Sequence, residues 1–404
     1  MTARNRPLFF VGMLSDSISF QIQSVAIGWY VFVLHHRAFD LGLVGLALFL
    51  PTFIFALPAG VLTDRQDRRV VVALTALLEA AAIVAFMLLV TAHETSLTPY
   101  LVALAVVGTA RAFGEPALRS LLPSIVPADQ FVRVQSAYAS LRELTVILGP
   151  ALGGVLVAIS TTLALGIAAT GMVVAALLLG ALKIERVVHA NPPHLRDAIE
   201  GLRFIGSRKI VLAAISLDLF AVLFGGARAL LPAYADQIFH IGAQGLGALR
   251  SAPAVGAALV AAFLSRRPIE RHVGPTLLWT VAGFGAATIV FGLTTNVVVA
   301  LIALALTGGF DMVSVIIRNA LVQLGTPDEM RGRVNAVENV FIGASNQLGD
   351  FESGTLAAFI GVVPAVVAGG VGTIVVIALW TLLFPALRRA DRFDTVAPAA
   401  PSSP

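Results

Sequence analysis

Apolar stretches about as long as a bilayer is thick dominate this sequence, and they leave few folds open. They run at roughly 8–34, 41–63, 70–92, 97–118, 134–158 and 161–183, then after a polar interval at 209–235, 243–264, 273–293, 297–323, 334–358 and 363–385. A backbone in hydrocarbon must satisfy its own hydrogen bonds, so segments of about 20 apolar residues read as spanning helices. Composition agrees: of 404 residues 58% are hydrophobic and 12% charged, with a mean hydropathy of +0.90. Soluble domains hold about 45–50% apolar and about 25% charged residues. Too little polar surface remains to cover a globule in water. The expected fold is therefore an all-α membrane protein, with twelve transmembrane helices in two pseudo-symmetric six-helix bundles.

The expected organisation is a first bundle over 1–183, an amphipathic linker over 184–208, a second bundle over 209–390 and a disordered tail over 391–404. In the linker, Leu195, Ile199, Leu202 and Ile205 recur at helical spacing with charges opposite, the pattern of a helix lying at a membrane surface. The tail is rich in Pro, Ala and Ser. The basic, then apolar, N-terminus resembles a signal peptide, but Asp16 interrupts it and no small-x-small cleavage site follows, so the first span is expected to be retained.

Basic residues set the expected orientation. One side of the membrane collects Arg4, Arg6, Arg65, Arg68, Arg69, Arg119, Arg133, the linker cations, Arg266, Arg267, Arg271, Arg331, Arg333, Arg388, Arg389 and Arg392; the other collects Arg37 alone. The positive-inside rule makes the crowded side cytoplasmic, with both termini there. A bacterial cytoplasmic (inner) membrane is the expected location. This asymmetry also accounts for the net charge of +4 and the pI near 9.9, so no nucleic-acid partner is expected. The absence of cysteine excludes disulfides and thiolate chemistry.

A shift of 200 residues lays 133–156 over 333–356, matching Arg133 with Arg333, Gly149 with Gly349 and Gly154 with Gly354; Gly108 meets Gly308 and Pro127 meets Pro327. A shift of 202 lays Leu14-Ser15-Asp16 over Ser216-Leu217-Asp218. Polar residues and glycines match, which chance likeness between apolar helices does not produce. Parallel repeats of this kind build two-half transporters with a site between the halves.

Charges inside spans are the strongest functional signal, because each costs about 2.5–3.5 kcal/mol at a helix centre and needs a partner or an aqueous cavity. Asp16, Arg111, Glu115, Arg142, Glu143, Asp218, Arg228, Arg250, Asp311, Arg318, Glu338, Asp350 and Glu352 qualify. Desolvation brings proton exchange at a carboxylate towards neutral pH, as an antiporter requires. The candidates for proton coupling are Asp16, Asp218, Asp311, Glu115, Glu143 and Glu338, with Asp16 or Asp311 foremost. Arg111 and Asp311 share a repeat position with opposite sign, an arrangement suited to facing across a cavity. Candidates for binding substrate are Arg111, Arg318 and Arg228, with Phe20, Tyr138 and Phe310 as apolar lining. The competing reading for any one residue is a structural ion pair holding spans together. Trp29 and Tyr30 suit the outer interface. His35 and His36 lack a third ligand, so no metal site is expected.

Two motifs carry a resemblance. Gly60-Val61-Leu62-Thr63-Asp64-Arg65-Gln66-Asp67-Arg68-Arg69 joins the second and third spans, and Gly149-Pro150-Ala151-Leu152-Gly153-Gly154 lies in the fifth. The first resembles the G-x-x-x-D-R-x-G-R-R signature of the major facilitator superfamily, with Asp67 where the signature has glycine. The second resembles that superfamily's exporter-associated G-P-x-x-G-G. A degraded copy of the first, Ser265 to Gly274, follows the eighth span. With Gly201 to Gly206, Ala229 to Asp236 and Thr326 to Val337, the chain resembles over 8–390 the branch that holds enterobactin exporters and macrolide efflux proteins. The resemblance implies proton-driven efflux of an amphipathic small molecule, siderophore-like or drug-like. The two-half repeat itself leads to the expectation of alternating access by rocking, and of a monomer, because each half supplies one wall of a single pathway. The resemblance also implies a cytoplasmic gate in which Gly60, Asp64, Arg65, Arg68 and Arg69 latch near Gly332 and Arg333, and helix packing through Gly149, Pro150, Gly153 and Gly154.

No enzyme signature stands out: H-E-x-x-H, G-x-S-x-G and the P-loop are missing, and no cofactor is expected. Import or symport, and lysolipid transport, remain open on the same fold. A channel or an intramembrane enzyme fits less well.

Overall fold

The computed structural model describes residues 5–183 and 195–393, with the side chains of 56–57, 60–65, 128, 195–198 and 339 outside that description. The start of the expected linker, 184–194, and the tail beyond 393 thus lie outside the described residues.

Every regular element among the described residues is a helix, as the internal bonding demanded by hydrocarbon requires. In the first half these are α1 (Asn5–His35), α2 (Ala38–Arg65), α3 (Arg68–Thr91), α4 (Leu97–Ile125), α5 (Ala128–Ile159) and α6 (Thr161–Gly180). Then come the short α7 (Leu195–Ser207) and α8 (Lys209–Gly225). A 3-10 turn (Ala227–Leu230), the single-turn α9 (Leu231–Ala233) and a π-turn (Tyr234–Ile238) lead to α10 (Gly242–Leu264). The chain continues with α11 (Val273–Leu293), α12 (Val297–Gly325), α13 (Asp328–Ile360), α14 (Val362–Leu383) and the short α15 (Pro385–Arg388).

Local chemistry sets the ends. Asp67 caps α3 by accepting from the Arg69 backbone N–H at 3.0 Å, and Asn296 caps α12 by accepting from Val298 and Val299 at 2.9 and 3.2 Å. Ser160 closes α5 and caps α6. Gly361, at φ +92, turns the chain between α13 and α14 in a conformation that favours glycine. Among the described residues, the non-glycine residues with positive φ are all histidines, His36, His93, His240 and His272, each beside a helix end.

Among the described residues, eleven helical segments are long and apolar enough to cross a membrane. The expected count of twelve is not reached because the segment at 334–358 lies in α13, which has the length, 33 residues, but carries Glu338, Asp350 and Glu352. A second departure concerns the seventh span. It is not one helix: α8 stops at Gly225, where Gly226 leaves helical geometry at ψ 73, and the chain resumes as 3-10, α and π turns.

The chain divides into two compact units, one formed by 1–193 with 231–251 and the other by 194–230 with 252–404. The excursion of 231–251 into the first unit has a visible cause in the contacts of α10 described below. In the first unit the core gathers Phe9, Val71, Val72, Leu121, Leu122, Ile125 and Leu179. In the second, Leu217, Leu277, Val281, Ile317, Leu321 and Val376 form the main core. Each unit uses the same close approach at a repeat-related glycine. A Cβ on Gly108 of α4 would lie 2.5 Å from the Leu48 carbonyl oxygen of α2, and one on Gly308 of α12 would overlap the Pro253 carbonyl oxygen of α10. Only a residue without a side chain lets these backbones meet.

Candidate functional site

Asp16, Phe20 and Gln23 stand four and three residues apart on α1, so they share one face. In the first unit that face meets Arg111 of α4 and Glu79 of α3. Arg111 Nη1 lies 3.4 and 3.3 Å from the two Asp16 carboxylate oxygens and 3.7 Å from Glu79 Oε2. Its guanidinium carbon sits 4.0 Å from the centroid of the Phe20 ring, a cation–π contact. Gln23 Nε2 donates to Glu79 Oε1 at 2.5 Å. Asp16 is 9% exposed, Glu79 2% and Gln23 1%. One guanidinium therefore serves two carboxylates in a buried setting, and the trio holds an excess of negative charge whenever both carboxylates are ionised.

Sequence reasoning missed Glu79 and Gln23. Glu79 interrupts the apolar run 70–92, so the test that picked out the other intramembrane charges also applies to it. Gln23 carries no such signal, because a neutral amide in a span is common.

The second unit repeats the motif with different helices. Arg318 of α12 contacts the Asp218 carboxylate of α8, and its Nε lies 3.4 Å from Glu338 Oε1 of α13. All three side chains are buried. Ile215, Leu219, Phe341 and Ile342 surround them, and the small void there has no room for a water. The candidate Asp311 is exposed and has no ion pair within 4 Å among the described residues, although it feels the fields of Asp218, Arg318 and Arg228. Arg111 finds its partners inside its own unit.

The remaining candidates scatter. Glu115 pairs with Arg119 at 2.6 Å and approaches Arg142 at 3.8 Å. Glu143 is half-buried with no hydrogen-bond or ion-pair partner among the described residues. Arg228 is exposed on the 3-10 turn. Tyr138 packs on Phe9 with ring centroids 6.0 Å apart, and Phe310 covers Gly283, so both are tied into helix packing.

Of the gate motif, the side chains of Gly60, Asp64 and Arg65 lie outside the described residues. Arg68 donates to the Ser120 carbonyl at 3.1 Å and to Ser124 Oγ at 2.9 Å, tying α3 to α4. Arg69 holds Asp67 through two of its nitrogens and donates to the Leu182 carbonyl at 2.6 Å beyond α6. Arg333 forms an ion pair with Glu200 of α7 at 3.0 Å.

The α5 glycines pack at backbone distance. A Cβ on Gly149 would sit 2.5 Å from Gln21 Cβ and one on Gly153 would sit 3.1 Å from Ile22 Cα, both on α1. Gly154 faces Ala243 and Gly247 of α10, where an added Cβ would lie 2.6 Å from the Ala243 carbonyl oxygen. Nearby, Arg250 donates to Ser24 Oγ at 2.8 Å and lies against Gly28. These contacts bind 231–251 to the first unit.

A bundle of membrane-spanning helices that sets an arginine against two buried carboxylates in each of two units has the features of a transporter. The chain belongs to the Major Facilitator Superfamily, whose family model matches residues 9–349. Membership makes it a transporter and not an enzyme. Among curated proteins it is similar to the enterobactin exporter EntS of Citrobacter koseri, 27% identical over 399 residues, covering 97% of this chain and 94% of that protein. It is similar also to EntS of Escherichia coli O1:K1, 26% identical with coverage of 94% and 92%. Among solved structures, a mutant of the nucleoside transporter NupG matches with a TM-score of 0.74 at 12% identity, covering 94% of this chain and 99% of that one. A bacterial homologue of the iron transporter ferroportin in an inward-facing state matches at 0.71 and 20% identity, with the same coverage. At these identities the structures speak to the fold alone.

Proposed function

We propose that the protein is a proton-coupled exporter of an amphipathic small molecule, working as a monomer by alternating access in a bacterial cytoplasmic membrane with both termini cytoplasmic. The observation that carries this reading is the buried group of Asp16, Glu79 and Arg111. Arg111 balances one carboxylate, and the charge on the other is costly in a low-dielectric interior unless it takes up a proton. A group that gains and loses one proton as its surroundings change supplies what coupling needs. Phe20, stacked on Arg111, gives the same group an apolar wall suited to an aromatic or catechol-bearing substrate. Outward direction is supported by the names of the relatives and by the Gly149 to Gly154 signature; orientation is supported by the one-sided Lys and Arg distribution. We assign proton coupling to Asp16 and Glu79, and the gate to the motif from Gly60 to Arg69.

The test is proton flux in proteoliposomes under a pH gradient, with catecholate siderophores, macrolides and lipophilic cations added in turn. Substrate-triggered proton movement that Asp16→Asn and Glu79→Gln each abolish, while both variants stay folded, is the expected result. Substrate moving with the proton gradient instead of against it would replace the exporter reading with symport. Uncoupled movement of lysolipid would replace it with a lipid carrier.

A further inference from the structure

Helix α7 has two unlike faces. Gly201, Phe204 and Ile205 turn into the second unit: Ile205 is 1% exposed within a core of Val211, Ile215, Val322, Val334 and Val337, and a Cβ on Gly201 would lie 2.8 Å from the Arg333 carbonyl oxygen. On the opposite face, Ile199 and Leu202 are 44% and 51% exposed. Arg203 is exposed beside them, and a Cβ at Gly206 would meet nothing within 4 Å. Arg208 and Lys209 follow, both exposed, with Arg208 over the Phe204 ring at 5.8 Å.

Two observations point to what covers this face. Arg203, Arg208 and Lys209 have no carboxylate within ion-pair distance among the described residues, although neighbouring Arg333 is paired with Glu200 at 3.0 Å. Lys209 also begins a membrane-spanning segment, Lys209–Ile238, so α7 ends where the chain enters hydrocarbon. Apolar side chains flanked by unpaired cations at that depth match the interface between acyl chains and headgroups. Unpaired guanidinium and ammonium groups match phosphate-bearing, net-negative headgroups in particular.

We propose that the Ile199–Leu202–Arg203–Gly206 face of α7, with Arg208 and Lys209, docks on anionic phospholipid headgroups of the bilayer that holds the protein. Through Gly201 and the Glu200–Arg333 pair, the docked helix braces the first turns of α13. This is independent of what the protein transports and in which direction.

The chain has no cysteine, so Gly206→Cys gives a single labelling site in open space. The labelled full-length protein, carrying a polarity-sensitive fluorophore, is reconstituted in phosphatidylcholine vesicles and in vesicles with added phosphatidylglycerol. Phosphatidylglycerol is expected to shift the emission to the blue and to raise quenching by brominated lipids. Three cations are worth on the order of a hundredfold in partitioning at low salt, so the Arg203→Gln/Arg208→Gln/Lys209→Gln variant should lose the response. Raising the salt should remove it in the unmutated protein as well, a control that needs no altered fold. Amide exchange over 330–340 should slow with phosphatidylglycerol in parallel. Identical emission in the two lipids overturns the docking, as does a response that survives in the triple variant. A label that is blue-shifted to the same extent in both vesicle compositions yet unquenched by brominated lipids would mean that another part of the chain covers the face, and would also overturn it. Unchanged exchange over 330–340 overturns the brace.

Discussion

Gln23 of α1 donates to Glu79 of α3 across 2.5 Å, and both side chains are almost wholly buried. The remaining Gln23 oxygen, Oε1, has no partner among the described residues. The amide thus gives up half of its own hydrogen bonding to hold a carboxylate in place beside Arg111. An unsatisfied buried acceptor costs about 1–3 kcal/mol, and that cost is worth bearing where a carboxylate must be held in position.

Gln23→Leu should therefore have a mixed signature. Removing the donor leaves Glu79 held through Arg111 alone, while deleting the orphaned oxygen relieves a cost, so thermal stability in detergent should change little. Coupled proton flux in proteoliposomes should fall several-fold. A large loss of stability with flux intact would show that Gln23 is only a packing residue.

The Arg318 group predicts a reversal. Arg318→Met leaves Asp218 and Glu338 buried without their cation, which for a buried pair costs about 3–5 kcal/mol. The triple variant Asp218→Leu/Arg318→Met/Glu338→Leu should regain most of that stability, since no unpaired charge remains. Trp380 donates to the Ala213 carbonyl of α8 at 3.2 Å, so its fluorescence is a reporter for melting of the second unit.

Gly108→Ala and Gly308→Ala should act alike. Each methyl meets a carbonyl oxygen of the second helix in its own half at a separation no real contact tolerates. Overpacking of this kind costs about 1–3 kcal/mol. Similar drops in melting temperature are expected, and Gly206→Ala, with open space around it, should leave the melting temperature unchanged. A harmless Gly108→Ala would remove the close approach of α2 and α4 from the account.

Asp67 stands where the superfamily signature has glycine, and here it caps α3 and holds Arg69. Asp67→Gly would restore the signature yet lose both contacts, costing only about a few tenths of a kcal/mol for the cap and about 0.2–1 kcal/mol for the partly exposed ion pair. Faster amide exchange in the first turn of α3 is the measurement, with Asp67→Ser, which keeps a capping oxygen, falling between.

Much of the architecture is legible in the residues because a bilayer leaves a spanning chain so little choice. Apolar length marks the spans, and α3, α6, α11 and α14 fall where the hydropathy puts them. Glycine spacing at 108 and 308 marks the matching close approaches, since only the absence of a side chain permits them. The stretch at 334–358 is the least clear of the twelve: α13 runs 33 residues there, but Glu338, buried against Arg318, with Asp350 and Glu352 dilutes its apolar character below that of the other spans. The break after Gly225 is invisible in an apolar run, where helix and irregular backbone share one composition. Partner choice among the charges belongs to the tertiary structure. Asp16, Glu79 and Arg111 lie far apart in sequence, and Arg111 could have been matched to any of several carboxylates. What pairs it with Asp16 and Glu79 is the tertiary arrangement that brings one face of α1 within side-chain reach of α3 and α4, a distance that composition and periodicity do not encode.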